Sequence, residues 1–321
     1  MKTNTANKIL DYLTKQGPIK ANDIIQYLQI SPQATFKQLK NLYSKNLITK
    51  SGTPPKVFYQ IAKTKLKPPN INLPKKIDET YLIISPEGEL LEGTQGFGYF
   101  CNKNNLNINK TADEYLNTLK KYDKFKNNGL IDGMSKLKKT FKNIYLDEIY
   151  YLDFYSIERF GKTKLGNLVL YAKQSQNKAL IYKIYQLIKE KISNLIKEKH
   201  IDAIAFIPPT IPRKIQFQKE LEKLLTLKIP KFNIVKILNQ IPIAQKTLNK
   251  LEDRIENVET TIFIDDKKSY KNILLIDDAV GSGATLNETA KKIREKNLVK
   301  ANLIGLALVG SFKGFDIINE I

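Results

Sequence analysis

An α/β protein is what this chain predicts: a parallel, twisted sheet with helices on both faces, preceded by a helical module that ends in a hairpin. Three observations lead there. Residues 272–292 read NILLIDDAVGSGATLNETAKK, an apolar run, two acids, a glycine-containing turn and a helical pattern. A short Ile/Leu run bounded by turn residues fits a strand covered on both faces. From residue 150 onward, strand-like and helical patterns alternate, as in a doubly wound sheet. Residues 1–65, by contrast, hold three short helical patterns followed by two strand patterns, the order of an α+β module.

Residues 5–16 carry Ile9, Leu10 and Leu13 at helical spacing, and Gly17-Pro18 stops them. A second helix, 21–28, has Ile24, Ile25 and Leu28 on one face. Ser31 and Pro32 then open a third as N-cap and first helical residue. Its expected buried stripe is Phe36, Leu39, Leu42 and Tyr43, leaving Gln33, Lys37, Gln38 and Asn41 outside. Two strands, 47–50 and 57–61, are joined by Ser-Gly-Thr-Pro-Pro-Lys. This sequence of elements resembles a winged helix-turn-helix. The resemblance implies double-stranded DNA as a partner: Gln33, Lys37, Gln38 and Asn41 would face the major groove, and Lys50 and Lys56 of the wing the phosphates. Either set also suits a solvated face.

Residues 66–76, with Pro68, Pro69 and Pro74, read as a stiff linker. Residues 77–149 are expected to form a small α+β segment of unassigned role, packed as an insert between the two ends. It has a strand over 80–85, a turn at 86–89, and a partner beginning at Leu90. The glycines of GTQGFGYF (93–100) read as a bulged turn and strand carrying Phe97, Tyr99 and Phe100. An amphipathic helix covers 111–122, with Tyr115, Leu116 and Leu119 inward, and a helix or turn covers 131–141.

In the last domain, 150–321, residues 168–172 are an apolar run, 179–196 an amphipathic helix and 203–207 a strand. Arg213 and Lys214 follow on the loop leaving that strand, at the end where α/β ligand sites lie. Residues 239–258 are polar, lack a strand pattern and read as a mobile hood.

The chemistry concentrates at 277–285. Gly281 and Gly283 let main-chain N–H groups crowd around a ligand, and Ser282 and Thr285 add hydroxyls at a helix start. Such a turn is an anion site suited to phosphate. Asp277 and Asp278 must then face something hydroxylated or cationic, and a sugar 5-phosphate offers both partners. Two acids at a strand end also occur in Mg²⁺ sites of other α/β proteins. The nearby IFIDD (262–266) lacks a glycine turn, so Asp265 and Asp266 are expected in a solvated turn.

The stretch Asp277, Asp278, Ala279, Val280, Gly281, Ser282, Gly283, Ala284, Thr285 resembles the phosphoribosyl pyrophosphate (PRPP) motif of type I phosphoribosyltransferases. Within them, residues 150–310 are most similar to the ComF competence-type members. The matching pieces are Ile207-Pro208-Pro209 with Arg213 and 215–218, then 245–248, Arg254, Asn257 and Phe263, and Lys173 after Tyr171-Ala172. Departures are Gly281-Ser282 where many members have Thr, Ile215-Gln216 for Gly-Asn, and the missing cysteine cluster in front.

The resemblance implies the type I phosphoribosyltransferase fold, PRPP or a ribonucleotide as ligand, and Mg²⁺ reached indirectly through Asp277 and Asp278. It also implies roles for Arg213, Arg254 and Lys246 in stabilising the leaving diphosphate. Lys214, Lys173, Gln245 and Asn257 would be further PRPP contacts. Function follows as phosphoribosyl transfer to a nitrogen nucleophile. The alternatives are a regulator that senses PRPP or a nucleotide, or a DNA-uptake accessory.

Composition narrows the rest. One cysteine, Cys101, excludes an internal disulfide and cysteine-based zinc clusters. No apolar run reaches the roughly 20 residues that span a bilayer, so a cytoplasmic protein without a membrane partner is expected, with a homodimer as a compatible assembly. The net charge is +21, and residues 1–67 hold twelve lysines against two aspartates, +10. An acidic polymer is the partner such a concentration favours. Arginine occurs only at 159, 213, 254 and 294, against forty-nine lysines, and marks positions where a planar fork is useful. His200, at a helix end, and Arg294 read as surface residues.

Overall fold

The computed structural model describes residues 5–45, 47–62, 72–237, 241, 243, 247–248 and 250–311. The chain divides into two units, Met1–Asn70 and Ile71–Ile321.

The first unit runs α1 (Thr5–Gln16), β1 (Ile19–Lys20), α2 (Ala21–Leu28), α3 (Pro32–Ser44), β2 (Ile48–Thr53) and β3 (Lys56–Ile61). Ser31 Oγ accepts from the Ala34 N–H at 3.2 Å and caps α3. The three strands form an antiparallel sheet in the order β1-β3-β2. Too short to show a period, β1 is invisible in the sequence. The core joins Ile9, Leu13, Ile24, Leu39, Leu42, Ile48 and Tyr59.

One expectation fails here. Phe36 and Tyr43 are 48% and 53% exposed, and Thr35 takes the inward place beside Leu39 and Leu42. Positions 35, 39 and 42 follow the i, i+4, i+7 spacing of one stripe, and 36 and 43 lie about 100° beyond 35 and 42.

The second unit opens with α4 (Lys75–Thr80), β4 (Leu82–Ile84), β5 (Leu90–Glu92), α5 (Gly93–Lys103) and α6 (Ile108–Asp123). Next come β6 (Lys126–Asn127), β7 (Leu130–Asp132), α7 (Met134–Thr140), β8 (Glu148–Phe154), α8 (Lys164–Ser175), α9 (Lys178–Glu198) and β9 (Ala203–Phe206). The remainder is α10 (Phe217–Leu224), β10 (Asn233–Lys236), α11 (Leu251–Thr261), β11 (Ile262–Asp265), β12 (Tyr270–Val280), α12 (Ala284–Glu295) and β13 (Val299–Gly310).

Its sheet has the order β6-β7-β8-β13-β12-β9. The pairs β8–β13, β13–β12 and β12–β9 are parallel, and β7 and β6 add an antiparallel edge. Alternation along β12 explains its unbroken apolar run. Ile273 and Leu275 enter the core shared with α5, α6 and α12, and Leu274 and Ile276 the one shared with α8, α9 and α10. An α/β sheet covered on both faces is the result.

Packing decides several local features. GTQGFGYF is helical rather than a bulged turn and strand, starting directly after β5: Phe97 and Cys101, four residues apart, are fully buried. Gly96 is needed because a Cβ there would stand 2.4 Å from the Leu91 carbonyl oxygen. That helix start is not an anion site, since Asp78 Oδ1 already accepts from the Thr94 N–H at 2.8 Å and Oγ1 at 2.7 Å. Segment 77–149 is not separate: Ile131 of β7 pairs with Tyr151 of β8, and Phe97, Tyr115 and Leu137 share a core with the sheet.

The apolar run 168–172 lies inside α8, buried because that helix is wedged between sheet and α9. In the hood, 251–258 belong to α11, held by buried Val258 and Arg254, and the antiparallel ribbon β10–β11 frames it. Of the linker, residues 66–71 lie outside the described residues, and Lys75 and Lys76 open α4. Asp265 ends strand β11 rather than lying in a turn, and half-buried Asp266 follows it, accepting from the Lys267 and Lys268 N–H groups. Arg294 is half-buried, donating from Nη2 to Asp147 Oδ2 at 2.7 Å and from Nε to the Tyr145 carbonyl.

Candidate functional site

Parallel strands bring their carboxyl ends to one edge, so the segments leaving β8, β9 and β12 meet there. They enclose a cavity of about 230 Å³. Every residue from Asp277 to Thr285 lines it, along with Arg213, Lys173 and Arg254. Of the two glycines in the turn, only Gly283 is left-handed, at φ +86°, so the expected freedom at Gly281 is not used. The Gly283 conformation turns the chain into α12, whose first amides lack helical acceptors. The Ala284 N–H is 3.3 Å from Ser282 Oγ.

The acids are held differently. Asp278 Oδ2 lies 2.9 Å from Lys173 Nζ on α8. Asp277 Oδ1 accepts from the Asp278 N–H at 2.8 Å and from Gln218 Nε2 at 3.3 Å. Burial, with Asp278 next to it, pushes the Asp277 carboxyl upward; Lys173 and Lys236 pull the other way without prevailing. The buried Oε1 of Gln218 has no hydrogen-bond partner among the described residues.

Lys236, at the end of β10, was not singled out by the sequence. Its Nζ donates to Thr210 Oγ1 at 2.9 Å and to Asn257 Oδ1 at 3.2 Å, tying the ribbon to the β9 exit loop and to α11. Burial lowers its pKa to about 8, against the pull of Asp277. The only sign in the sequence is a lysine inside the apolar strand NIVKI (233–237). Arg254 is 6% exposed, and its Nε donates to the Leu248 carbonyl at 2.7 Å. Tyr155, where β8 exits, also lines the cavity and was likewise missed.

Other expected residues fall elsewhere. Asn257 is outside the lining and accepts from Lys236, which is in it, and Lys214 is exposed and outside the lining. Lys246 and Gln245 lie outside the described residues. In the first unit, Gln33, Lys37, Asn41, Lys50 and Lys56 are exposed and Gln38 is half-buried.

No group of three or more metal-ligating side chains occurs among the described residues. Two carboxylates, one facing a lysine and one bonded to an amide, suit hydroxyl donors or a hydrated cation better than a bare metal ion. No helix among the described residues is long and apolar enough to cross a membrane.

No protein-family model matches the chain, and neither does any curated protein. Among solved structures it is similar to an adenine phosphoribosyltransferase, with 16% identity and a TM-score of 0.29, over 43% of this chain and 74% of that one. It is also similar to a hypoxanthine phosphoribosyltransferase from Staphylococcus aureus, with 13% identity and a TM-score of 0.27, over 42% of this chain and 66% of that one.

Proposed function

We propose that the cavity binds PRPP and that the second unit transfers its ribosyl phosphate to a nitrogen nucleophile. One observation carries the reading: paired carboxylates and a glycine turn at a helix start share one cavity with Lys173, Lys236, Arg213 and Arg254. The 281–285 turn takes the 5-phosphate on its amides. Asp277 and Asp278 accept the ribose hydroxyls, Asp278 exchanging Lys173 for the ligand. The four cations face the diphosphate.

In the transfer, the bond between the anomeric carbon and the diphosphate oxygen breaks, and its electron pair leaves with the diphosphate. The nitrogen lone pair forms the new bond, and the nitrogen proton passes to solvent. The acids stabilise the electron-poor ring and the cations the leaving charge. Asp277 and Asp278 are the residues that would hold a hydrated Mg²⁺, which would supply further charge neutralisation for the leaving diphosphate. The chain's own contribution is positioning and the fixed charges.

A second reading is a regulator whose second unit senses PRPP. The +10 charge on residues 1–67 favours it, because a cationic module suits duplex DNA, with α3 and the β2–β3 hairpin as the contact. Calorimetry with PRPP and Mg²⁺ tests the shared premise: wild type binds, and Asp277→Asn with Asp278→Asn loses affinity while remaining folded. Equal affinity for both proteins would refute the site. Diphosphate release over a set of bases then separates transferase from sensor.

A further inference from the structure

The exposed rings of α3 need a reason. Phe36 and Tyr43 are seven residues apart, two helical turns, so both leave the same side of α3 about 10.5 Å apart along its axis. Lys40 stands between them, and Lys37 and Gln33 lie on the adjoining exposed strip. Large rings at half exposure forgo burial that the unit could have used.

Charge decides what fits. Residues 1–67 contain only two acids, Asp11 and Asp23, and neither is on α3. A second copy docked ring to ring would set Lys40 against Lys40 on surfaces that are both strongly positive, which opposes self-association. A polyanion with flat apolar faces meets both the lysines and the rings. Intact duplex offers phosphates but keeps its base faces stacked. A single strand offers both, and three base steps at about 3.4 Å span about the separation of the rings.

We propose that α3 engages unpaired bases of a single-stranded nucleic acid, Phe36 and Tyr43 stacking on bases while Lys37 and Lys40 neutralise phosphates. The inference rests on the reading of the first unit as nucleic-acid-binding and changes the form of strand it prefers.

Fluorescence anisotropy of the full chain with a labelled oligothymidylate and with a labelled duplex tests it. The single strand binds more tightly than the duplex. Phe36→Ala and Tyr43→Ala each weaken single-strand binding roughly five- to a hundredfold, the range for one stacked base. Duplex binding falls much less than single-strand binding in either variant, and Phe36→Tyr retains single-strand affinity. Lys37→Ala with Lys40→Ala weakens both and reduces the salt slope.

If neither probe binds at low salt, the nucleic-acid reading and the inference fall together. If duplex binds while single-strand affinity ignores the rings, only the inference falls. If sedimentation velocity shows that the ring substitutions dissociate an oligomer, the rings form a contact between copies and the proposal is overturned.

Discussion

Replacing Asp277 by Asn should stabilise the ligand-free protein while weakening the proposed PRPP binding. The carboxyl sits where burial, and next Asp278, push it from 3.8 up to about 7. Such a displacement corresponds to about 4 kcal/mol at 1.36 kcal/mol per pH unit. Because Asp277 lines an open cavity, roughly half of that, about 2 kcal/mol, is the expected gain at neutral to mildly alkaline pH. Asn keeps Oδ1, so it can still accept from the Asp278 N–H and from Gln218 Nε2.

The sign follows from linkage. A carboxyl whose folded pKa is raised contributes stability that is fully present below its unfolded value near 3.8 and is lost as pH rises through about 7. The wild type should therefore lose stability across that interval relative to Asp277→Asn, and the two should converge in acid. For a unit of this size, about 2 kcal/mol is about 4–8 °C in Tm. Thermal melts of both proteins across this pH range provide the assay. A lower Tm for Asp277→Asn above pH 7, or parallel pH profiles, would refute the description of Asp277 as a buried acid held at a cost for its ligand.

Three further outcomes are expected. Lys236, near 8, should lose its charge as pH rises past that value, so calorimetric affinity for pyrophosphate should decline there in wild type and stay flat in Lys236→Met. A decline of equal steepness in the variant would assign the titration to another group. Asn167→Ala removes the donor 2.7 Å from the buried Leu82 carbonyl and should cost about 1–3 kcal/mol in denaturant unfolding; no loss would mean that the carbonyl finds another donor. Gly310→Ala would place a Cβ 2.4 Å from the Tyr151 ring and should cost about 1–3 kcal/mol, with the loss relieved in part by Tyr151→Phe only if the hydroxyl end sets the clash. The ring carbon Cδ2 is the nearest atom, so no relief is expected, and a Gly310→Ala protein as stable as wild type would show that the ring can shift.

Local readings held where one interaction dominates. Ser31-Pro32 starts α3, since capping and proline at the first helical position depend only on neighbouring atoms. The run 273–276 is a doubly covered strand, its alternate residues entering the cores on the two faces of the sheet. Local pattern misled where packing was decisive. The glycines of 93–98 resembled punctuation, but Gly96 is small because the Leu91 carbonyl lies against it. Phe36 and Tyr43 had the right spacing for a core stripe and were displaced by Thr35, about one helical position away.

The chain's linear order by itself determined the acid pair, the glycine turn and the helix that follows, since these are adjacent residues whose geometry is set by short-range sterics. Only tertiary structure decided which distant groups join them. Lys173 on α8 meets Asp278, Gln218 on α10 meets Asp277, and Lys236 on the β10–β11 ribbon ties Thr210 to Asn257, because these elements pack beside the edge where the parallel strands exit. That convergence is set by packing across the whole sheet, and the lysine inside the apolar run 233–237 is the slight local mark it leaves on Lys236.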